Sequence, residues 1–147
     1  MSVREGLLDT CTVIALDRLA AELPEVSHIS QITICELEAG VATAPTEAKR
    51  TQRQARLDAI RRIAVIHPLD DACSRAFGQV AADLRSQGRK ITARSYDALI
   101  AATALALSLP LYTINPDDFR HICGLDVRTP QTAEETDQAG TPDKEHL

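Results

Sequence analysis

At 147 residues, 44% apolar and 25% charged, the chain has the length and composition of one soluble globular domain with a real hydrophobic core. Aromatics make up only 3% and Trp is absent, which argues against base-stacking platforms of the single-strand-binding kind. The formal charge of −5 looks wrong for a nucleic-acid binder, but residues 131–147 hold five of the 21 acids and one of the 16 basic residues, so residues 1–130 are close to neutral.

That tail, "QTAEETDQAGTPDKEHL", is poor in apolar residues and reads as a disordered extension of a domain formed by residues 1–130. The longest apolar run is about a dozen residues, too short to cross a bilayer. The start, "MSVREGLLDT", lacks the apolar core of a secretion signal, so a cytoplasmic protein without a membrane partner is expected. Cys11, Cys35, Cys73 and Cys123 form no CxxC pair and have no zinc-type spacing to His28, His67, His121 or His146. They are expected to be reduced and to serve as small core residues.

In chain order, "GLLDT" (6–10) is a short apolar run ending at Asp9, as a buried parallel strand would be. Residues 11–23 read as a helix closed by Pro24, and "VSHIS" (26–30) as a second strand. Ser30 is an N-cap candidate for the helix "QITICELEAGV" (31–41), and Thr46 for a longer one over 47–63. "AVIHPL" (64–69) is a third strand, followed by a helix over 70–88 that ends at Gly88, a typical C′ residue. "SYDALIAATALALSL" (95–109) is apolar all round and therefore a central helix. "LYTI" (111–114) and "LDVRT" (125–129) are the last strands, with a helical turn at "PDDFRHI" (116–122) between them.

Strands alternating with helices predict an α/β domain, its mainly parallel central sheet flanked by helices on both faces. Such sheets gather strand carboxyl ends and the following helix N-termini along one edge, where ligands bind. Asp9, Glu36, Asp97, and the pair Asp117 and Asp118 can all open onto that edge. Each has an ordinary role as well. Asp9 can cap a helix, Asp97 can favour a helix dipole, Glu36 can be solvated, and Asp117 with Asp118 can form a turn. Their conjunction argues for more, because clustered carboxylates repel one another unless a cation compensates them. An oxygen-only set without Cys or His suits a hard ion, Mg²⁺ with Mn²⁺ as the alternative. Such ions activate water and clamp phosphate groups.

The basic residues form two stripes. Lys49, Arg50, Arg53 and Arg56 lie about one turn apart, with Arg61 and Arg62 beyond, a pattern that also fits a solvated helix face. Arg85, Arg89, Lys90 and Arg94 directly precede Asp97 and are the favoured RNA-binding candidates, since basic stripes give sequence-independent affinity for a phosphate backbone.

"LLDTCTVIAL", "ISQITICELEAGV" and "GRKITARSYDALIAATALALSLPLYTINPDDFRHICGLDV" together resemble the PIN-domain ribonucleases, specifically the VapC toxins of type II toxin–antitoxin systems, over residues 7 to 128. The resemblance implies a Mg²⁺-dependent endoribonuclease that hydrolyses RNA with a metal-activated water. Asp9 and Asp97 would be the principal metal ligands, and Glu36 would complete the site. Asp118, with Asp117 in reserve, would be the fourth acid, since Asn115 occupies the family's other acidic position. Thr10, Thr113 and Asn115 would line the site. The resemblance further implies a homodimer, and a cognate antitoxin whose tail fills the acidic groove. Other readings are a non-toxin PIN nuclease of RNA processing and a Mg²⁺-dependent α/β phosphohydrolase. A dehalogenase-type phosphohydrolase would want an acid where Cys11 stands.

Overall fold

The computed structural model describes residues 2–19, 23–90 and 95–130. The predicted tail over 131–147, Arg94, and residues 20–22 of the predicted first helix lie outside them. Five parallel strands form one sheet in the order β3-β2-β1-β4-β5, where β1 is Glu5–Leu8, β2 Val26–Ser30, β3 Val65–His67, β4 Leu111–Tyr112 and β5 Val127–Arg128. The chain starts at the centre with β1, builds outward through β2 and β3, then crosses to the other side of β1 for β4 and β5. Order therefore reverses between β1 and β4. Between two strands whose crossovers leave in opposite directions, a crevice opens beyond the carboxyl ends.

Alternation along the strands gives two cores. Leu7 and Leu111 point to one face and pack with Val80, Leu84, Ala98, Ile100, Ala101, Ala104, Phe119 and Ile122. Those residues come largely from α4 (Asp71–Ser86) and α5 (Ser95–Leu107). Leu8, Ile29 and Tyr112 point to the other face and pack with Val13, Ile34, Leu37, Leu57 and Ile60. These belong to α1 (Thr10–Ile14), α2 (Gln31–Ala42) and α3 (Glu47–Ile63). The predicted three-layer arrangement is present. Fully burying side chains of this size is worth about 1.5–3 kcal/mol each before entropy is counted.

Most helix boundaries follow local capping chemistry. Ser30 Oγ accepts from Ile32 N–H at 3.2 Å, Thr46 Oγ1 from Lys49 N–H at 3.2 Å, and Asp70 Oδ1 from Cys73 N–H at 2.9 Å. Gly88 takes the left-handed conformation at φ 73°, and Arg89 N–H closes back on Leu84 C=O at 2.8 Å.

Three expectations need correction. The first helix spans only Thr10–Ile14, after which a 3₁₀ turn covers Leu16–Arg18. Three β-branched residues in succession, Thr12, Val13 and Ile14, disfavour continuation, and Ala15 N–H is shared between Cys11 C=O and Thr12 C=O as the turn tightens. The central helix stops at Leu107 rather than Leu109, because Pro110 disfavours helical backbone before it and Ser108 turns to φ 53°. The cysteines are free as expected, yet only Cys73 is buried, while Cys11, Cys35 and Cys123 are exposed.

Gly6 is required by a close approach. A Cβ there would run into the ring of Tyr112, which lies across it from β4 and is 4% exposed. Gly6→Ala is expected to lower stability by about 1–3 kcal/mol in urea unfolding, the usual cost of overpacking. Tyr112→Leu in the same chain should recover part of that loss, and an unchanged midpoint for Gly6→Ala alone would contradict the packing.

Candidate active site

Asp9 follows β1 directly, and Thr113 follows β4, so both stand at the crevice where strand order reverses. Asp9 is 3% exposed and its carboxylate is held from two sides. Oδ1 accepts from Thr12 N–H at 3.0 Å and from the Thr12 hydroxyl, while Oδ2 accepts from the Thr113 hydroxyl at 2.8 Å. The Thr12 hydroxyl oxygen accepts from Ile114 N–H at 3.1 Å, and that of Thr113 from Asn115 N–H at 3.0 Å. Asp9 thus caps α1 while standing at the crevice, so the two roles that the sequence left open do not exclude each other.

Glu36 sits on α2, half-buried, and accepts from the Thr10 hydroxyl at 2.9 Å. That bond takes the single Thr10 proton, so Thr33, whose hydroxyl oxygen lies 3.1 Å from that of Thr10, is left to donate to it. Asp97 lies in the first turn of α5 and is half-buried. Asp118 ends the 3₁₀ turn Pro116–Asp118 and is also half-buried.

The fields of these acids overlap. Burial pushes the Cys11 thiol above its ordinary range, and Asp9, Asp97, Glu36 and Asp118 push it further. A thiol so shifted stays protonated at neutral pH, which removes Cys11 as a nucleophile. Burial raises the pKa of Asp9 against the pull of Thr12 and Thr113, and Asp118 raises it again. Burial also raises Glu36, opposed by Thr10 and reinforced by Asp9. Asp117 lies elsewhere. It is exposed and pairs with Arg120 at 2.6 Å.

The structure therefore brings Asp9, Glu36, Asp97 and Asp118 around the start of α1, with Thr10 and Thr113 bonded to two of them. Asn115 is exposed and contributes its backbone N–H to Thr113. Among the described residues, no three His, Cys, Asp or Glu side chains are drawn together tightly enough to enclose a metal ion by themselves. Arg85 in the last turn of α4 and Arg89 and Lys90 just beyond it are exposed. Two residues escaped the sequence reading, Thr12 and Thr33. Their signal was spacing, since Thr12 stands three residues after Asp9, and Thr33 three before Glu36 on the same helix face.

An acid-lined crevice at the switch point of a parallel α/β sheet defines the class of protein. The PIN domain family model matches residues 8–125. Ribonuclease VapC1 of Rickettsia felis is 34% identical over 128 residues, covering 84% of this chain and 94% of the relative. Ribonuclease VapC8 of Mycobacterium tuberculosis is 39% identical over 101 residues, 67% of this chain and 89% of the relative. The crystal structure of VapBC-5 from Mycobacterium tuberculosis, a member of the VapBC family of toxin–antitoxin systems, superposes with a TM-score of 0.74 at 31% identity, covering 86% of this chain and 97% of that one. The chain belongs to the PIN-domain family, among the VapC ribonucleases.

The raised pKa of Glu36 has a consequence for stability. Its folded-state value lies above the ordinary 4.5, so its charged form costs stability once pH exceeds the unfolded value, and that cost vanishes in acid. Glu36→Gln keeps an acceptor for Thr10 and removes the charge. Without metal it is expected to melt higher than the unmodified chain at pH 7, with the gap closing as pH falls towards 4. A variant that melts lower at pH 7, or a gap independent of pH, would contradict the assignment.

Proposed function

We propose that this chain is a metal-dependent endoribonuclease toxin held in check by a cognate antitoxin. The observation that carries the reading is the gathering of four carboxylates at the switch point, two of them with raised pKa values and threonine donors already in place. Carboxylate oxygens alone suit Mg²⁺, or Mn²⁺ in its place, and Mg²⁺ commonly takes one or two protein carboxylates and fills its other positions with water and phosphate oxygens. A donor set that is loose without metal is compatible with that habit. Asp9 and Asp97 would hold the ion, which when bound lowers the pKa of a coordinated water and offsets charge on the phosphate.

The chain's own residues do the rest. Thr12 and Thr113 fix both oxygens of Asp9, so its carboxylate needs no rearrangement on binding. Thr10 fixes Glu36, whose raised proton affinity suits it to accept a proton from the attacking water. Asp118 faces the same space and orients the water. In-line attack forms the new bond from water oxygen to phosphorus and breaks the bond to the 3′ oxygen. The products are a 5′-phosphate and a 3′-hydroxyl.

Toxin–antitoxin complexes among the structural relatives support the partner. VapBC-5 is described as such a system, and a structure described as a toxin–antitoxin complex from Klebsiella pneumoniae superposes with a TM-score of 0.60 at 27% identity. An antitoxin arginine in the crevice would neutralise the acids much as a cation does. A non-toxin role in RNA processing would use the same site, and co-purification with a small neighbouring gene product separates the two.

The test is cleavage of a labelled RNA by the purified chain with Mg²⁺, with EDTA, and with Asp97→Asn. Activity that requires metal and falls at least about 100-fold in Asp97→Asn is expected, the scale of losing a transition-state electrostatic contact. Cleavage that survives the substitution or EDTA would overturn the mechanism.

A further inference from the structure

We propose that the cleft between α2 and α3 is the track for the RNA backbone, so that the α3 stripe rather than the one before α5 carries the phosphates next to the scissile bond. The inference rests on the nuclease reading above and specifies where its substrate lies. The cleft has a volume of about 430 Å³ and is lined by Glu36, Gly40, Lys49, Gln52, Arg53 and Arg56, with Ile14 and Leu37 supplying apolar wall. One acid of the site thus lines the same space as three cations.

The cations differ in how they are held. Arg53 donates to Gly40 C=O at 2.7 Å, which ties α3 to the end of α2 and points a fixed guanidinium into the cleft. Lys49 and Arg56 are in none of the ion pairs among the described residues, whereas their helix neighbours Arg50 and Arg61 are matched with Glu47 and Glu38. Arg50 and Arg61 are thus matched within the fold, while Lys49, Arg56 and Arg62 are not, and of these three Lys49 and Arg56 line the cleft.

Gly40 adds an independent observation. It sits inside α2, where glycine costs about 0.5–1 kcal/mol against alanine, yet a Cβ there would meet nothing within 4 Å. Neither a turn nor a packing contact accounts for it. Its missing side chain leaves room in the cleft, and room beside unpaired cations suits a phosphodiester backbone, which brings charge spaced along a narrow chain.

The test is fluorescence anisotropy of a short labelled single-stranded RNA against the full chain in EDTA, over a range of KCl, so that binding is read without cleavage. Lys49→Gln with Arg56→Gln should weaken binding and flatten the salt dependence by about 0.7 per cation removed, the single-strand value. Arg62→Gln with Arg75→Gln removes the same charge from surfaces away from the cleft and is the reference. Gly40→Leu changes no charge and should weaken binding at least about tenfold by filling the space, with α2 if anything firmer. Equal affinity and slope for the Lys49/Arg56 variant and its reference would overturn the track. So would normal RNA binding by that variant combined with loss of antitoxin binding, which would assign the cleft to the protein partner. Metal-dependent cleavage by the unmodified chain reports on the nuclease reading separately, so the two can fail independently.

Discussion

Asp9 is a carboxylate almost wholly removed from water, and the fold around it is organised to make that tolerable. Its two oxygens take donors from the first helical turn and from the end of β4, positions 104 residues apart in the case of Thr113. That pairing depends on β1 and β4 lying side by side, which the crossover after β3 brings about. The same threonines accept backbone N–H groups from Ile114 and Asn115, so the chain leaving β4 is shaped by the hydroxyls that hold the acid. No buried side-chain polar atom among the described residues is left without a partner. The carboxylate is stabilised by donors, yet not enough to cancel its burial, and its raised pKa records the remainder.

That remainder is where structure becomes function. Asp9 and Glu36 hold their charge at a cost in the free protein. On the proposed reading a divalent cation or an antitoxin arginine would offset that cost on the same grounds, so that catalysis and inhibition would draw on one electrostatic imbalance. The α5 helix supplies the rigid support. Ile100, Ala101, Ala102 and Ala104 are wholly buried, so Asp97 projects from a helix fixed on its inner sides.

Much of this was legible in the sequence because the relevant signals are local. Short apolar runs, caps at Ser30 and Thr46, the glycine after α4 and the all-apolar α5 gave the alternation, and alternation gave the parallel sheet. The acids could be placed because each stood next to a strand end or helix start. Less was legible where distant parts decide. The early end of α1 depends on a tightened turn at Ala15, and Thr12 and Thr33 gained their roles only when β4 and α1 closed on them. The choice between Asp117 and Asp118 turned on a three-residue helical turn that directs one to Arg120 and the other inward. The two basic stripes look equivalent as text. The packing of α3 on α2 is what puts one of them in a cleft with Glu36.

The central claim is that the carboxylates at the β1–β4 crevice form a site for a divalent cation. Direct titration of the purified, antitoxin-free chain with Mn²⁺, followed by the loss of the free-ion electron paramagnetic resonance signal, tests it without reference to any RNA. Saturable binding that Mg²⁺ competes away, and that Asp9→Asn or Asp97→Asn abolishes, is the result expected. Absence of saturable binding, or binding undiminished in both variants, would contradict it.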